Sequence, residues 1–159
     1  TGLRFRDRVA HAVRLRLASR FAACGITADR LSWGVFEPDP AAHLGAYRQL
    51  DIALDTVPYN GTTTTFEALW MGVPVLTVNG NSHAARVGRA ILSGLGLTHL
   101  AASDETALVR LAAGYAAAPE LLAELRQALR GIMAASPLLD GERLAREIET
   151  IFLQVVKTK

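Results

Sequence analysis

Residues 59–70 read YNGTTTTFEALW: four consecutive threonines behind Asn60-Gly61 and ahead of an apolar, helix-forming run. β-Branched residues are mediocre helix formers, so this is an unfavourable way to begin a helix. The chemistry on offer is anion binding. The first N–H groups of a helix lack intrahelical acceptors and carry the positive end of its dipole, so a phosphate docks there readily. Gly61 lets the backbone come close, and the hydroxyls of Thr62, Thr63, Thr64 and Thr65 add neutral donors around the same oxygens. Part of the pattern has a purely structural explanation. Thr64-Thr65-Phe66-Glu67 fits a capping box, with Thr64 as N-cap and Glu67 reaching back to its N–H. That box leaves Asn60-Gly61, Thr62, Thr63 and Thr65 unexplained. No Gly-Lys-Ser/Thr ending makes this a Walker loop, and no useful G-x-G-x-x-G occurs.

The turn needs a strand before it and a helix after it. Asp51–Asp55 (DIALD) is a compact apolar run ending in an acid, the look of a buried parallel strand, and Pro74–Val78 is a second. Leu31–Val35 is a shorter strand candidate. Between them, Pro38 and Pro40 open a short helix over AAHLGAYRQL, and FEALWM forms a helix that Gly72 stops. Asn81 or Ser82 can cap a further helix that runs to about Ser93, broken by Gly94 and Gly96. Alternation of strand and helix from 31 to about 100 predicts a parallel α/β sheet, with ligands beyond the carboxyl ends of its strands. Trp33 and Trp70 are expected in the core, and Asp51 and Asp55 are expected to fix loop geometry at a strand's ends.

The flanks are helical. Val9, Val13, Leu17 and Phe21 mark an amphipathic helix that Gly25 ends. Three more helices follow residue 100, marked by Leu108, Leu111 and Tyr115, then Leu122, Leu125, Leu129 and Ile132, then Leu144, Ile148, Ile151, Phe152 and Val155 behind Asp140 as N-cap. The expected division is an α/β part over 1–100 and C-terminal helices over 101–159. A chain that starts on a helix and offers only three or four strands is expected to hold a partial sheet, completed by other residues.

At 159 residues, half of them apolar and one-fifth charged, the chain is one domain's worth of globular protein. A single cysteine excludes a disulfide framework and a cysteine-based zinc site, and suits a reducing compartment such as a cytoplasm. No apolar run is long enough to span a membrane. Arginines crowd the first thirty residues, but no aromatic interleaving accompanies them. They read as a solvated helix face or a packing surface before they read as a nucleic-acid surface.

The string DIALDTVPYNGTTTTFEALWMGVPVLTVNGNSHAARVG closely resembles the C-terminal catalytic lobe of the O-linked N-acetylglucosamine transferase family. The likeness is to bacterial members joined to tetratricopeptide repeats, and to the related SPINDLY-type O-fucosyltransferases. The D-x-x-L-D-T, NG-x-TT, A-L-W-M-G-V-P-V and G-x-x-x-A-x-R-V motifs carry it, with Ser136-Pro137-Leu138-Leu139 near the end. The resemblance implies a GT-B architecture, two Rossmann-like lobes with a nucleotide sugar in the cleft, and makes residues 1–159 part of the C-terminal lobe. It implies transfer of N-acetylglucosamine from UDP to a protein Ser or Thr with inversion, no metal and no further cofactor. GDP-fucose is the alternative donor, and a degenerate non-catalytic module the alternative role.

For the residues, the resemblance implies that Thr63 and Thr64 hold the diphosphate with Thr62 beside them, that Glu67 binds the ribose hydroxyls, and that His43 lies against the base. Val35–Pro38 would border the base. A lysine used by the family falls near Pro40, which is a departure. His83 and Arg86 head the helix after Asn79-Gly80, either facing the diphosphate or forming a plain helix-surface pair. The general base is expected in an N-terminal lobe outside this chain, along with the first two strands of the C-terminal lobe. This piece alone is therefore expected to be inactive, with that lobe and tetratricopeptide repeats as its partners and the Leu31–Val35 strand left without neighbours.

Overall fold

The computed structural model describes residues 3–5, 11–34 and 37–157. Val9, the arginines at 6 and 8, and the Val35-Phe36 part of the expected base border lie outside the described residues. The chain divides into two compact units, Thr1–Ala46 and Tyr47–Lys159.

In the first unit, strand β1 (Leu3–Phe5) pairs in parallel with β2 (Leu31–Trp33), Leu3 opposite Leu31 and Phe5 opposite Trp33. Helix α1 (His11–Ala23) connects them, right where the apolar spacing predicts it. Val13, Leu17 and Phe21 form its more covered stripe, and the chain leaves through Gly25 at φ +79°. Two expectations are corrected here. The chain does not begin on a helix, and the strand at 31 has a neighbour. LRF is too short a segment to show a period, and only its partner strand reveals it. Trp33 is also no core residue: it is half-buried, with the Arg14 guanidinium 5.7 Å from its ring centre. Helix α2 (Pro40–Gly45) closes the unit, with Pro40 in its first turn and the Asp39 carboxylate accepting from the Ala42 N–H at 2.8 Å.

In the second unit, β3 (Ala53–Leu54), β4 (Val75–Val78) and β5 (Ala101–Ala102) form one parallel sheet in that order. All four residues of β4 are buried, as a central strand requires. β3 is an edge strand, not the fully buried one its apolar run suggests, and Leu54 is largely exposed. Its pairing still reaches Asp55, whose N–H donates to the Leu76 carbonyl at 2.9 Å. β5, at an Ala-Ala pair with no β-branched residue, gives no sequence signal at all.

Helix α3 (Thr63–Trp70) crosses from β3 to β4 and stops in a Schellman motif. The Val73 N–H reaches the Ala68 carbonyl and the Gly72 N–H reaches Leu69, with Gly72 at φ +76°. Helix α4 (Val87–Gly94) returns from β4 to β5 and buries Ile91 and Leu92. It starts later than expected. Residues 82–86 form a separate hydrogen-bonded turn, so Ser82 holds the Ala85 N–H of that turn and caps no helix. Helices α5 (Glu105–Ala117), α6 (Pro119–Ala134) and α7 (Gly141–Lys157) follow as predicted. Tyr115, Leu122, Leu129 and Met133 join the core of β4, Leu69, Leu92 and Leu100. Trp70, expected inside, lies on the surface with Arg130 stacked 5.1 Å from its ring centre and donating to its carbonyl. On α7, Leu144, Ile148, Ile151, Phe152 and Val155 are exposed. Asp140 caps that helix by accepting from the Arg143 N–H at 2.9 Å.

Asp104 caps α5, accepting from the Ala107 N–H at 2.7 Å and from the Ser103 hydroxyl at 2.9 Å. These two bonds, the backbone one first, hold its carboxyl below the ordinary carboxylate value. A lowered native value means the stabilisation is complete above the unfolded pKa and is lost as pH falls through the native one. Thermal unfolding should therefore give Asp104→Ala a lower Tm than wild type at neutral pH. The gap should narrow as pH drops through the carboxylate range, and a gap that stays constant would contradict this cap.

Candidate functional site: the mouth of helix α3

The site is built on the loop 55–62 between β3 and α3. Asp55 anchors it. Its Oδ1 accepts from the N–H groups of Thr56 at 2.9 Å and Gly61 at 2.8 Å, and its Oδ2 accepts from the Thr77 hydroxyl at 2.8 Å. Thr77 is fully buried in β4, so its hydroxyl needs this partner. Asn60, 2% exposed, ties the other side of the loop. Its N–H donates to the Ala84 carbonyl, its Nδ2 donates to the Thr56 carbonyl, and its Oδ1 accepts from the Gly88 N–H. The Thr56 hydroxyl donates to the Tyr59 carbonyl across the same loop.

Asn60 thereby satisfies an N–H in the first turn of α4 from outside that helix. Arg86, at the N-cap position, makes no capping bond with its side chain. The mouth of α4 already has its acceptor.

At α3 the situation is the opposite. Thr62 is the N-cap and provides no side-chain cap. The expected capping box is not formed: the helix starts two residues earlier than an N-cap at Thr64 would give, and Glu67 is engaged with Tyr47. The N–H groups of Thr63, Thr64 and Thr65 precede the first intrahelical bond, which runs from Phe66 to the Thr62 carbonyl. Thr62, Thr63 and Thr64 are exposed, and no side chain of the described residues caps this end of the helix. Thr65 is different. Its hydroxyl turns inward to donate to the Gly61 carbonyl at 2.9 Å and is buried, so it adds no donor at the mouth, contrary to expectation.

Gly61 has a steric reason beyond backbone approach: a Cβ there would lie 2.5 Å from the Thr64 hydroxyl and 3.1 Å from that of Thr65.

Glu67, one turn in, is half-buried and accepts from the Tyr47 hydroxyl at 2.8 Å. The Thr64 carbonyl is a second, longer acceptor for the same hydroxyl at 3.3 Å. Tyr47 is 3% exposed and was not singled out by the sequence; its one signal is an aromatic residue in an otherwise polar turn. Tyr47 thereby holds the Glu67 carboxylate in place, one turn inside the helix mouth.

His43 stands in the first unit, half-buried in the last turn of α2. His83 and Arg86 are exposed in the turn 82–86, not on α4 itself. The Asn60–Ala84 bond draws that turn against the α3 loop. Among the described residues, no group of three or more His, Cys, Asp or Glu side chains is placed to hold a metal ion. A concave pocket of about 430 Å³ lies elsewhere, lined by Ser136, Pro137, Asp140 and Arg143 among others, and no residue of the α3 mouth lines it.

Gly88 shows how tightly this loop is closed. A Cβ there would come 2.6 Å from Asp55 Oδ2 and 2.7 Å from the Thr77 hydroxyl. Gly88→Ala is expected to lower stability by about 1–3 kcal/mol through overpacking. Gly114→Ala, in the interior of α5 with nothing near the added methyl, is expected to raise it by about 0.5–1 kcal/mol. Urea denaturation of both variants checks the opposite signs.

Residues 8–148 match the model of a family described as Glycosyl transferase family 41. The chain is 49% identical over 110 residues to a probable UDP-N-acetylglucosamine–peptide N-acetylglucosaminyltransferase SPINDLY of Oryza sativa subsp. japonica, covering 69% of this chain and 12% of that protein. The Arabidopsis thaliana protein of the same name is 44% identical over 115 residues, covering 72% of this chain and 13% of its own length. A UDP-N-acetylglucosamine–peptide N-acetylglucosaminyltransferase of Caenorhabditis elegans is 30% identical over 115 residues, covering 72% of this chain and 10% of its own. Among solved structures, a mutant of the Thermobaculum terrenum O-GlcNAc transferase superposes with a TM-score of 0.81 at 32% identity, covering 90% of this chain and 27% of that one. The α/β fold expected from the sequence, that of a GT-B glycosyltransferase lobe, is borne out by this likeness. With its helix-mouth loop and a family match that spans nearly its whole length, this chain belongs to glycosyl transferase family 41.

Proposed function

We propose that this chain forms the donor-binding part of an inverting protein O-glycosyltransferase that moves N-acetylglucosamine from UDP to a Ser or Thr hydroxyl. The observation that carries the reading is the mouth of α3, where exposed Thr62, Thr63 and Thr64 surround N–H groups that no side chain of the described residues caps. The diphosphate of a nucleotide sugar fits donors of this kind, and the helix dipole favours its charge. Glu67, with one oxygen fixed by Tyr47, accepts from the ribose hydroxyls. The family resemblance assigns His43 to the base, and His83 or Arg86 supplies a cation for the phosphates. The family relationship to proteins named N-acetylglucosaminyltransferases supports the sugar.

The chemistry asked of this chain is leaving-group stabilisation. As the glycosidic bond breaks, negative charge gathers on the departing UDP. Preoriented N–H and O–H donors bind that charge more strongly in the transition state than in the ground state. No metal or cofactor is needed for this step, because amides, hydroxyls and the dipole provide the positive potential. The general base and the acceptor site belong to parts of the protein outside this chain. An N-terminal lobe and tetratricopeptide repeats are its proposed partners, the cytoplasm its proposed location, and the chain alone is expected to be inactive. No helix among the described residues is long and apolar enough to cross a membrane.

A second donor deserves testing. Identity to the SPINDLY proteins, 49% and 44%, exceeds the 30% to the Caenorhabditis elegans protein. These relatives carry names that give UDP-N-acetylglucosamine as donor, and GDP-fucose stays the alternative only through the motif resemblance to SPINDLY-type O-fucosyltransferases.

Calorimetric titration of the chain with UDP, GDP and their sugars tests both. One nucleotide should bind, and the double variant Thr63→Ala, Thr64→Ala should weaken it by about tenfold to a hundredfold, for two lost hydroxyl hydrogen bonds of about 1 kcal/mol each at a solvent-exposed site. A double variant that binds as tightly as wild type would remove the cradle. Glu67→Ala should weaken the ribonucleotide severalfold while leaving the corresponding 2′,3′-dideoxynucleotide unaffected. Equal losses for both ligands would contradict the ribose role.

A further inference from the structure

Asp55 is left over when the proposed function has taken its residues. It is an anion beside a site read as one for anions, where a like charge opposes binding. Its bonds supply the reason for it. Oδ1 gathers the N–H groups at the two ends of the loop, Thr56 and Gly61, and Oδ2 fastens the same carboxylate to the buried Thr77 of β4. Glycine at 88 lets the first turn of α4 close onto Oδ2 without a side chain between them. The Gly61 N–H is therefore committed to Asp55 and unavailable to a ligand. The donors offered outward begin at the next residues, Thr62 to Thr64.

The geometry points to Asp55 as a positioning residue: it fixes where the turn ends and α3 begins, so that the amides and hydroxyls at the mouth meet a diphosphate already oriented. Holding a binding loop in its bound shape before the ligand arrives strengthens binding by removing the entropy loss of ordering it. The inference rests on the nucleotide-site reading. It assigns Asp55 no contact with the ligand and acts through Gly61 and the threonines.

Asparagine and alanine separate geometry from charge. Asn at 55 keeps one oxygen for the two N–H groups, and its Nδ2 can donate to the Thr77 hydroxyl, which rotates to accept. Ala removes all three bonds. The test is titration of wild type, Asp55→Asn and Asp55→Ala with whichever of UDP or GDP binds the wild-type chain, and with the nucleoside alone by ligand-observed NMR. All are measured where near-ultraviolet circular dichroism shows each variant folded.

Asp55→Ala should weaken the diphosphate about tenfold or more and leave the nucleoside unchanged, while Asp55→Asn stays within about threefold of wild type. Equal losses for nucleotide and nucleoside would mean a general structural role and overturn the proposal. So would Asp55→Ala binding as wild type does, an outcome that leaves the nucleotide site itself standing. A wild-type chain that binds neither nucleotide removes the site and the positioning role together. Should Asp55→Ala not fold, Thr77→Val releases only Oδ2. A diphosphate-specific loss of about threefold supports the proposal there, and wild-type affinity overturns it.

Discussion

One carboxylate with three donors sets the form of the second unit's functional end. Asp55 stands where β3 runs out, and its oxygens reach both ends of the loop that follows and the middle of the central strand. Each of these contacts solves a local problem. The buried Thr77 hydroxyl finds an acceptor, and two loop N–H groups that no ladder would satisfy find one too. Asn60 does the same for the neighbouring segment, reaching the Ala84 carbonyl and the Gly88 N–H. Strand, loop and two helices are thus fixed by polar groups that must be satisfied wherever they are buried. The small size of residues 61 and 88 is a consequence, because any Cβ would enter that network.

The network also decides which helix can take a ligand. Two helix N-termini lie close together in this unit, and their electrostatics are alike in principle. The first turn of α4 receives the Asn60 amide oxygen and crowds the Asp55 carboxylate, so acceptors from the protein itself already stand there. The first turn of α3 has no side-chain cap and lies among exposed threonines. Neutral hydroxyls suit a leaving nucleotide better than a fixed cation in one respect. They bind its growing charge without holding the product as tightly as a lysine or arginine would. Tyr47 completes the arrangement by orienting the one carboxylate of α3 near the mouth.

How much of this was legible in the sequence depends on whether a residue's role is local. The helices announced themselves by periodic apolar residues and by glycine stops, because those signals sit within a turn or two of the helix they describe. The threonine run was legible as a helix mouth for the same reason. Partnerships across the chain were not. Thr64 and Glu67 have the spacing of a capping box, yet Tyr47, seventeen and twenty residues away in sequence, takes the glutamate instead. Thr65 looks identical to its three neighbours and differs only because its hydroxyl faces the Gly61 carbonyl. β1 and β5 are three and two residues long, too short to carry a period, and exist only through the strands beside them. Both tryptophans read as core by size, and both found an arginine to lie against instead.

On the proposed function, the diphosphate of a nucleotide sugar lodges at the amino end of α3. A crystal structure of the protein with UDP bound measures this directly. Phosphate oxygens are expected at roughly 3 Å from the N–H groups or hydroxyls of Thr63 and Thr64, with the Gly61 N–H still on Asp55. Nucleotide found elsewhere on the protein, with that helix end in contact only with water, would contradict it.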